Sequence, residues 1–482
     1  MSCATPRGES RCGVAEPGRG GRPPRALRRA LVPLALAQFI CSFAGSNMNV
    51  MINDISRDLG TTVHGVQIAI TIFLLVMAAL MIPGGKLTDR YGRKRCFTTG
   101  LVVYGIGALL SAVSPRLGVL ILGNSILEGV GTALLIPPVY ILATLLFTEV
   151  TSRARAFGAI SALGGVGAAA GPLIGGIITS SISWRAAFVF QALVVAVIVW
   201  LSRQLPDPLP PDPSRPFDIG GAILSAVGLI LLVTGILAAE TNGWLMITLI
   251  AAGAIVLAFF FRSVRAKERA GKEPLLSTGL FRNRTSNLGL ITQNTQWQLL
   301  MGASFVVAAY LQVVRGYDAI QTGVIFTAAT AGLLVSSLAA ERLAKRHTQR
   351  SLILGGFVIS ITGIGLLLAM VIGSPSAWAF APGLFLIGVG LGTMLTPSVN
   401  VVQSSFSEDL QGEISGLSRS VSNLGSSLGT AVAGTILVAG ITATPARSYG
   451  LAMAVLAVVA LVGLVASAYL PRTLTPTRSS RT

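Results

Sequence analysis

Gly85-Lys86-Leu87-Thr88-Asp89-Arg90-Tyr91-Gly92-Arg93-Lys94-Arg95 stands between two long apolar runs, and its reading decides the fold. Five bases and one acid cannot stay cheaply in hydrocarbon, so the chain must leave a bilayer here. Gly85 and Gly92 permit close backbone approach and positive φ, which predicts a tight hairpin between two membrane helices. The surplus of Lys and Arg puts that hairpin on the cytoplasmic side.

The composition agrees with that reading. The chain has 482 residues, of which 52% are apolar and only 11% charged, and apolar runs recur along it. Such a sequence describes a polytopic helical membrane protein and excludes a soluble multi-domain chain. A net charge of +18 in a soluble protein would suggest nucleic acid, but here the bases fall in the gaps between apolar runs. The cysteines (3, 12, 41 and 96) show no CxxC or Cys/His spacing, so neither disulfides nor a metal site is expected. Residues 1–27, rich in Gly, Pro and Arg, read as a disordered cytoplasmic tail, because the apolar run after them is too long for a signal peptide.

Fourteen runs are long enough to span: about 31–52, 65–84, 96–114, 118–146, 155–180, 185–202, 218–239, 244–262, 286–313, 319–339, 351–373, 377–404, 413–440 and 448–470. An even count puts both termini on one side. With that side cytoplasmic, only Arg57, Arg116, Arg185, Arg315 and Arg447 of the 36 Lys and Arg fall in outer loops. The expected organisation is a tail (1–27), a six-helix bundle (28–204), a linker (205–217), an inserted helix pair (218–262), a second linker (263–284), a second six-helix bundle (285–471) and a tail (472–482).

An internal repeat supports the two bundles. Glu341-Arg342-Leu343-Ala344-Lys345-Arg346 is a weak copy of Asp89-Arg90-Tyr91-Gly92-Arg93-Lys94. Gly129-Val130-Gly131 with Pro138 is matched by Gly388-Val389-Gly390 with Pro397, and Gly167, Gly171 and Gly176 are answered by Gly425, Gly429 and Gly434. The loop GxLxDRxGRKR resembles the one between spans two and three of the major facilitator superfamily of transporters. That resemblance implies the major facilitator fold, with a binding site at mid-bilayer between the halves. It also implies that Asp89 and Arg90, held by Gly85, Gly92 and Arg93, help latch the halves on the cytoplasmic side. The extra helix pair resembles the fourteen-span drug:proton antiporter branch.

Gly167, Gly171, Pro172, Gly175 and Gly176 in span five match gxxxGPxxGG, which looks like the antiporter motif of proton-coupled drug exporters. Small residues four apart make a groove for close helix packing, and Pro172 loosens the helix there. Trp184-Arg185 at the start of span six fits the same branch and also an interfacial anchor.

Span four departs from the family pattern. Ser125 and Glu128 stand where that pattern has Arg and Gln, and Ala44 stands where related exporters carry an Asp in span one. Glu128 lies about 16 Å into its span by helix rise, and Asn124 and Thr132 share its helix face. A lone carboxyl in low dielectric favours the proton-bound form, which suits a proton carrier.

Spans one, four, nine and twelve are expected to line the cavity. Span one offers Gln38, Ser42, Ser46 and Asn49, and span four Asn124. Span nine adds Gln293, Asn294, Gln296, Trp297 and Gln298, and span twelve Thr396, Asn400 and Gln403. Neutral amides and hydroxyls predict neutral or weakly cationic amphipathic substrates.

No GxxxxGK[ST] loop is present, so an ion gradient or the substrate gradient itself has to drive transport in place of ATP. The sequence therefore reads as a proton-coupled exporter of lipophilic small molecules in a bacterial cytoplasmic membrane, working by alternating access. Its partners are the substrate, protons and the lipid bilayer; no cofactor and no nucleic acid enter, and a monomer is expected. Export of one endogenous metabolite is the alternative, and a non-transporting receptor or scaffold is a third reading, disfavoured by the complete loop motif.

Overall fold

The computed structural model describes residues 25–471, except for residues 148, 208–210, 215, 241, 372–375 and 407–409. Most of the leading tail, the closing tail and part of the first expected linker (205–217) lie outside the described residues. Among the described residues the chain is all helical, with thirteen helices long and apolar enough to cross a membrane and a fourteenth that is bent. Helices are what hydrocarbon allows, because each backbone N–H and C=O must be satisfied within the segment.

The first six are α1 (Ala30–Asp58), α2 (Val63–Tyr91), α3 (Arg93–Ala112), α4 (Leu117–Leu146), α5 (Val150–Ser181) and α6 (Trp184–Ser202). An added pair follows, α7 (Ile219–Leu237) and α8 (Gly243–Arg269). The last six are α9 (Arg284–Val314), α10 (Ala319–Arg346), α11 (Gln349–Val371), α12 (Trp378–Gln403), α13 (Gln411–Gly440) and α14 (Pro445–Ala468). Several outrun their apolar cores: α1 continues to Asp58 and α8 to Arg269, because charged ends can stay helical in water.

The expected hairpin over 85–95 is shorter than its sequence suggests. Helix α2 runs unbroken through Tyr91, and Gly92 alone makes the turn, at φ 97° and ψ 142°. Only Gly holds that backbone without strain. Gly85 needs no such freedom, since a Cβ there would meet only Pro137 at 3.8 Å. The close approach falls to Gly84, whose Cβ would lie 2.2 Å from the Ala133 carbonyl of α4.

The two sets of six pack alike. Helix α1 lies along α5 as α9 lies along α13, α3 pairs with α4 as α11 pairs with α12, and α2 meets α4 as α10 meets α12. The glycines repeat too. A Cβ on Gly167 would stand 2.3 Å from the Phe39 carbonyl of α1, and one on Gly425 would stand 2.3 Å from the Asn294 carbonyl of α9. Gly131 is pressed onto Gly100 and Tyr104 as Gly390 is onto Gly356 and Ser360. The loop copy at 341–346 continues α10, and most of its side chains lie outside the described residues.

The bundles meet along two lines. Helix α13 follows α2 from Gln67, whose Nε2 donates to the Thr430 and Ala431 carbonyls, past Ser427 and Ser420, which donate to the Thr71 and Ala78 carbonyls. Helix α10 meets α5 across Gly323 and Gly176. The pair α7–α8 rests on the first line, where Val233 and Leu237 pack with Leu75 and Ala431. Gly92 lies at one end of the bundles, the loop face, and the opposite end is the far face.

Candidate functional site

Between α1 and α4 on one side and α9 and α12 on the other lies a cleft. Among the described residues α4 makes no extended contact with α9 or α12, and α1 reaches α9 chiefly through its last turns. The far face is sealed. There α1 breaks into a 3-10 turn at Met48–Met51, and α9 ends in a π turn at Tyr310–Val314. The Gln312 side chain bridges the two breaks, donating to the Asn49 carbonyl at 2.7 Å and accepting from the Asn53 N–H at 3.1 Å. Asn49 thus belongs to the seal, with its Oδ1 buried and unpartnered.

The glycine motif of α5 completes that seal and faces two ways. Gly167, Gly171 and Gly175 lie against α1, where Cβ atoms would approach Phe39, Ser46 and Asn47. Gly176 faces the other bundle, where a Cβ would lie 2.4 Å from the Ala319 carbonyl, and Gly323 of α10 returns the contact at 2.5 Å from the Pro172 carbonyl. Helix α5 bends by 41° between Ala168 and Ala170. The cause is Pro172, whose ring lacks an N–H for the carbonyl four residues back, that of Ala168.

At the loop face Asp89 accepts from Arg93 Nη2 at 2.9 Å, across the Gly92 turn and within the first half. The ion pair that crosses the halves there is Lys86 with Glu413, at 2.8 Å. Arg90 stands over the Tyr91 ring.

Glu128 occupies another place than a cleft wall. It is wholly buried inside the first bundle, at the end of a π-helical stretch, Ile121–Glu128, in α4. Its Oε1 accepts from Ser111 of α3 at 3.4 Å, while Oε2 has no partner. The Tyr104 hydroxyl adjoins the carboxyl and also donates to Gln191 of α6. Glycines set this depth: Gly107 and Gly123 bring α3 and α4 so close that a Cβ on Gly107 would lie 2.6 Å from the Gly123 carbonyl. Thr132 donates to the Glu128 carbonyl at 2.8 Å and accepts from Cys41. Asn124 is buried, with its Nδ2 unpartnered. Ser125, where the family pattern has an Arg, donates to the Ala69 carbonyl at 2.7 Å and ties α4 to α2.

The remaining amides divide. Gln293 accepts from Ser418 at 2.8 Å, Gln296 from Ser398 at 2.9 Å, and Asn294 donates to the Val421 carbonyl at 2.9 Å, so these hold α9 to α12 and α13. Ser46 turns its hydroxyl back to its own helix beside Gly171. Thr396 and Asn400 are exposed one turn apart on α12, and Trp297 is half-buried. Gln38 and Ser42 form a pair at 3.2 Å on α1.

Gln38 leads to the residue that sequence reading missed. Its Oε1 accepts from Tyr140 of α4 at 3.2 Å, and the Tyr140 hydroxyl accepts from Arg419 of α13. A charge six residues inside the apolar run 413–440 was the available signal, but α13 is not among the spans expected to line the cavity. Trp184 is likewise no interfacial anchor: it is 3% exposed and donates to Asp58 at 3.0 Å, beside Arg185, which pairs with the same carboxylate.

Two helical bundles around a polar cleft, closed at one membrane face, define a multi-pass transporter. The chain belongs to the Major Facilitator Superfamily, whose family model matches residues 34–430. It is 31% identical to the puromycin resistance protein pur8 of Streptomyces alboniger, over 84% of this chain and 81% of that protein. It is 29% identical to the cephamycin export protein CmcT of Amycolatopsis lactamdurans, over 95% of each, and 27% identical to the multidrug resistance protein Stp of Mycobacterium tuberculosis, over 86% of this chain and 76% of that one. A sulfate-bound peptide transporter POT superposes with a TM-score of 0.68 at 17% identity, over 92% of this chain and 95% of that one, and shows the shared fold. These relatives are transporters, not enzymes.

Proposed function

We propose that this protein exports amphipathic small molecules across a bacterial cytoplasmic membrane by alternating access, in exchange for protons. The loop face and both termini are cytoplasmic in this reading. The observation that carries it is the unequal closure of the cleft. Carbonyl-to-glycine packing and the Gln312 bridge seal the far face, whereas near the loop face α4 and α13 make no extended contact among the described residues and are bridged by Arg419 and Tyr140. Such a pattern suits one end state of a rocking cycle. The resistance and export names of the relatives support the direction of transport.

Glu128 is the proposed proton site, because it is the single acid at that depth and its Oε2 is unpartnered. Its burial in the first bundle separates it from the substrate, so proton and substrate act on one bundle from different sides. Asp89 and Arg90 brace the α2–α3 corner, and the α5 glycines form the far gate. The cleft offers Gln38, Ser42, Trp297, Thr396 and Asn400.

Everted vesicles test the proposal. A fluorescent substrate should accumulate when a proton gradient is applied, and a protonophore should abolish the accumulation. Accumulation that ignores the protonophore would remove proton coupling.

A further inference from the structure

We infer that Arg419 and Tyr140 form a substrate subsite for aromatic acids, in which the guanidinium takes a carboxylate or phenolate and the Tyr140–Phe157 pair takes the ring. This rests on the reading of the cleft as a transport pathway. Arg419 lies roughly 12 Å along α13 from Gln411 by helix rise, and its side chain reaches across to the opposite bundle. The guanidinium carbon stands 4.9 Å from the centroid of the Tyr140 ring, and Nη2 donates to the Tyr140 hydroxyl.

Among the described residues no carboxylate pairs with Arg419. Glu413, six residues back on the same helix, gives Oε1 to Lys86 and accepts the Ser277 N–H on Oε2. Glu128 is sealed between α3, α4 and α6. A guanidinium has five N–H donors, and among the described residues one of them, on Nη2, is taken, by the Tyr140 hydroxyl. A cation kept in a membrane span without a counter-charge is costly, and such groups mark substrate paths. The fork of donors matches a carboxylate in bidentate geometry, which a neutral or cationic ligand cannot supply.

The aromatic half of the site is built as well. Tyr140 stacks on Phe157 of α5 with centroids 5.7 Å apart and planes at 26°. Its hydroxyl donates to Gln38 at 3.2 Å, which fixes the ring against α1. A ligand held there touches Arg419 from one bundle and Tyr140, Phe157 and Gln38 from the other. The class it selects is an aromatic acid, in place of the weakly cationic amphipath that the amide-rich spans suggest.

Equilibrium dialysis of the purified full-length protein in lipid nanodiscs would test this with 2-naphthoate, 2-naphthamide and a naphthylmethyl ammonium ion. Wild type should bind naphthoate about tenfold or more tighter than naphthamide, as a charge-assisted contact predicts, and the ammonium ion weakest. Arg419→Gln should bring naphthoate down to the naphthamide level, Arg419→Lys should keep part of the preference, and Tyr140→Leu should weaken both ligands. Equal binding of acid and amide by wild type, an unchanged preference in Arg419→Gln, or no binding of naphthoate overturns the subsite. If Arg419→Gln does not fold, phenylglyoxal labelling of wild type decides: naphthoate should protect Arg419 and naphthamide should not, and equal labelling overturns the proposal. Preferential binding of naphthoate without its movement in vesicles would reject the exporter reading and leave the subsite standing.

Discussion

Lys86 and Glu413 stand 2.8 Å apart at the loop face and belong to opposite bundles. Both are about a quarter exposed, so screening limits the pair to ~1 kcal/mol or less. For a two-state transporter that is still a severalfold change in the balance of states. Lys86→Glu should shift the protein away from the state closed at the far face, and Lys86→Glu combined with Glu413→Lys should restore it. Reaction rates of a cysteine placed at Ala319 with a water-soluble maleimide report that balance. A single substitution that leaves the rates unchanged would remove the latch.

Gly167 and Gly176 sit on one helix but separate two effects. Gly167→Ala drives a methyl into the Phe39 carbonyl inside one bundle. Overpacking of that kind costs roughly 1–3 kcal/mol and should lower the melting temperature. Gly176→Ala pushes on Ala319 of the other bundle, so it should open the far face with little loss of stability. Maleimide rates and melting curves on both variants check the distinction, and equal effects from the two would contradict it.

Glu128→Gln keeps the shape of the side chain and its contact with Ser111 but cannot exchange a proton. The variant should equilibrate substrate downhill and fail to concentrate it against a gradient. Proton-driven accumulation at the wild-type rate in everted vesicles would show that the proton travels elsewhere.

Asp218 caps α7 and should impose an acid limit on the docking of α7–α8. Burial works to raise its pKa, but Lys267 and the N–H groups of Gly221 and Leu275 outweigh it and hold the carboxyl below the usual carboxylate range. With a folded value below the unfolded ~3.9, its stabilisation is complete above about pH 4 and fades as pH falls through the folded value. Asp218→Ala should cost about 1 kcal/mol at neutral pH, the usual worth of a cap, and flatten the loss of stability in acid. Melting curves from pH 3 to pH 7 compare the two; parallel curves would exclude this role.

The fold was legible because hydrocarbon leaves few choices. Apolar run length located all fourteen segments, and the glycine repeat located the two halves, since close helix crossings need the same small residues twice. Helix ends were less legible. Charged turns such as Lys86–Tyr91 stay helical in water, and no apolar signal marks where they stop. Side-chain direction was the least legible. Helical spacing put Glu128 near Asn124 and Thr132, but it could not say that this face turns toward α3 and α6. Arg419 escaped because its reach to Tyr140 depends on which helix of the opposite bundle stands within range, which no periodicity within α13 records.

Two serines along the line of α2 and α13 bond from side chain to backbone: Ser420 and Ser427 of α13 donate to main-chain oxygens of Ala78 and Thr71. An acceptor made of backbone survives almost any substitution at its own position, whereas a donor hydroxyl does not. Tolerance to mutation should therefore be lopsided across this seam, permissive at positions 71 and 78 and strict at 420 and 427. A drifting sequence can rewrite one wall of the seam and leave its hydrogen bonds in place.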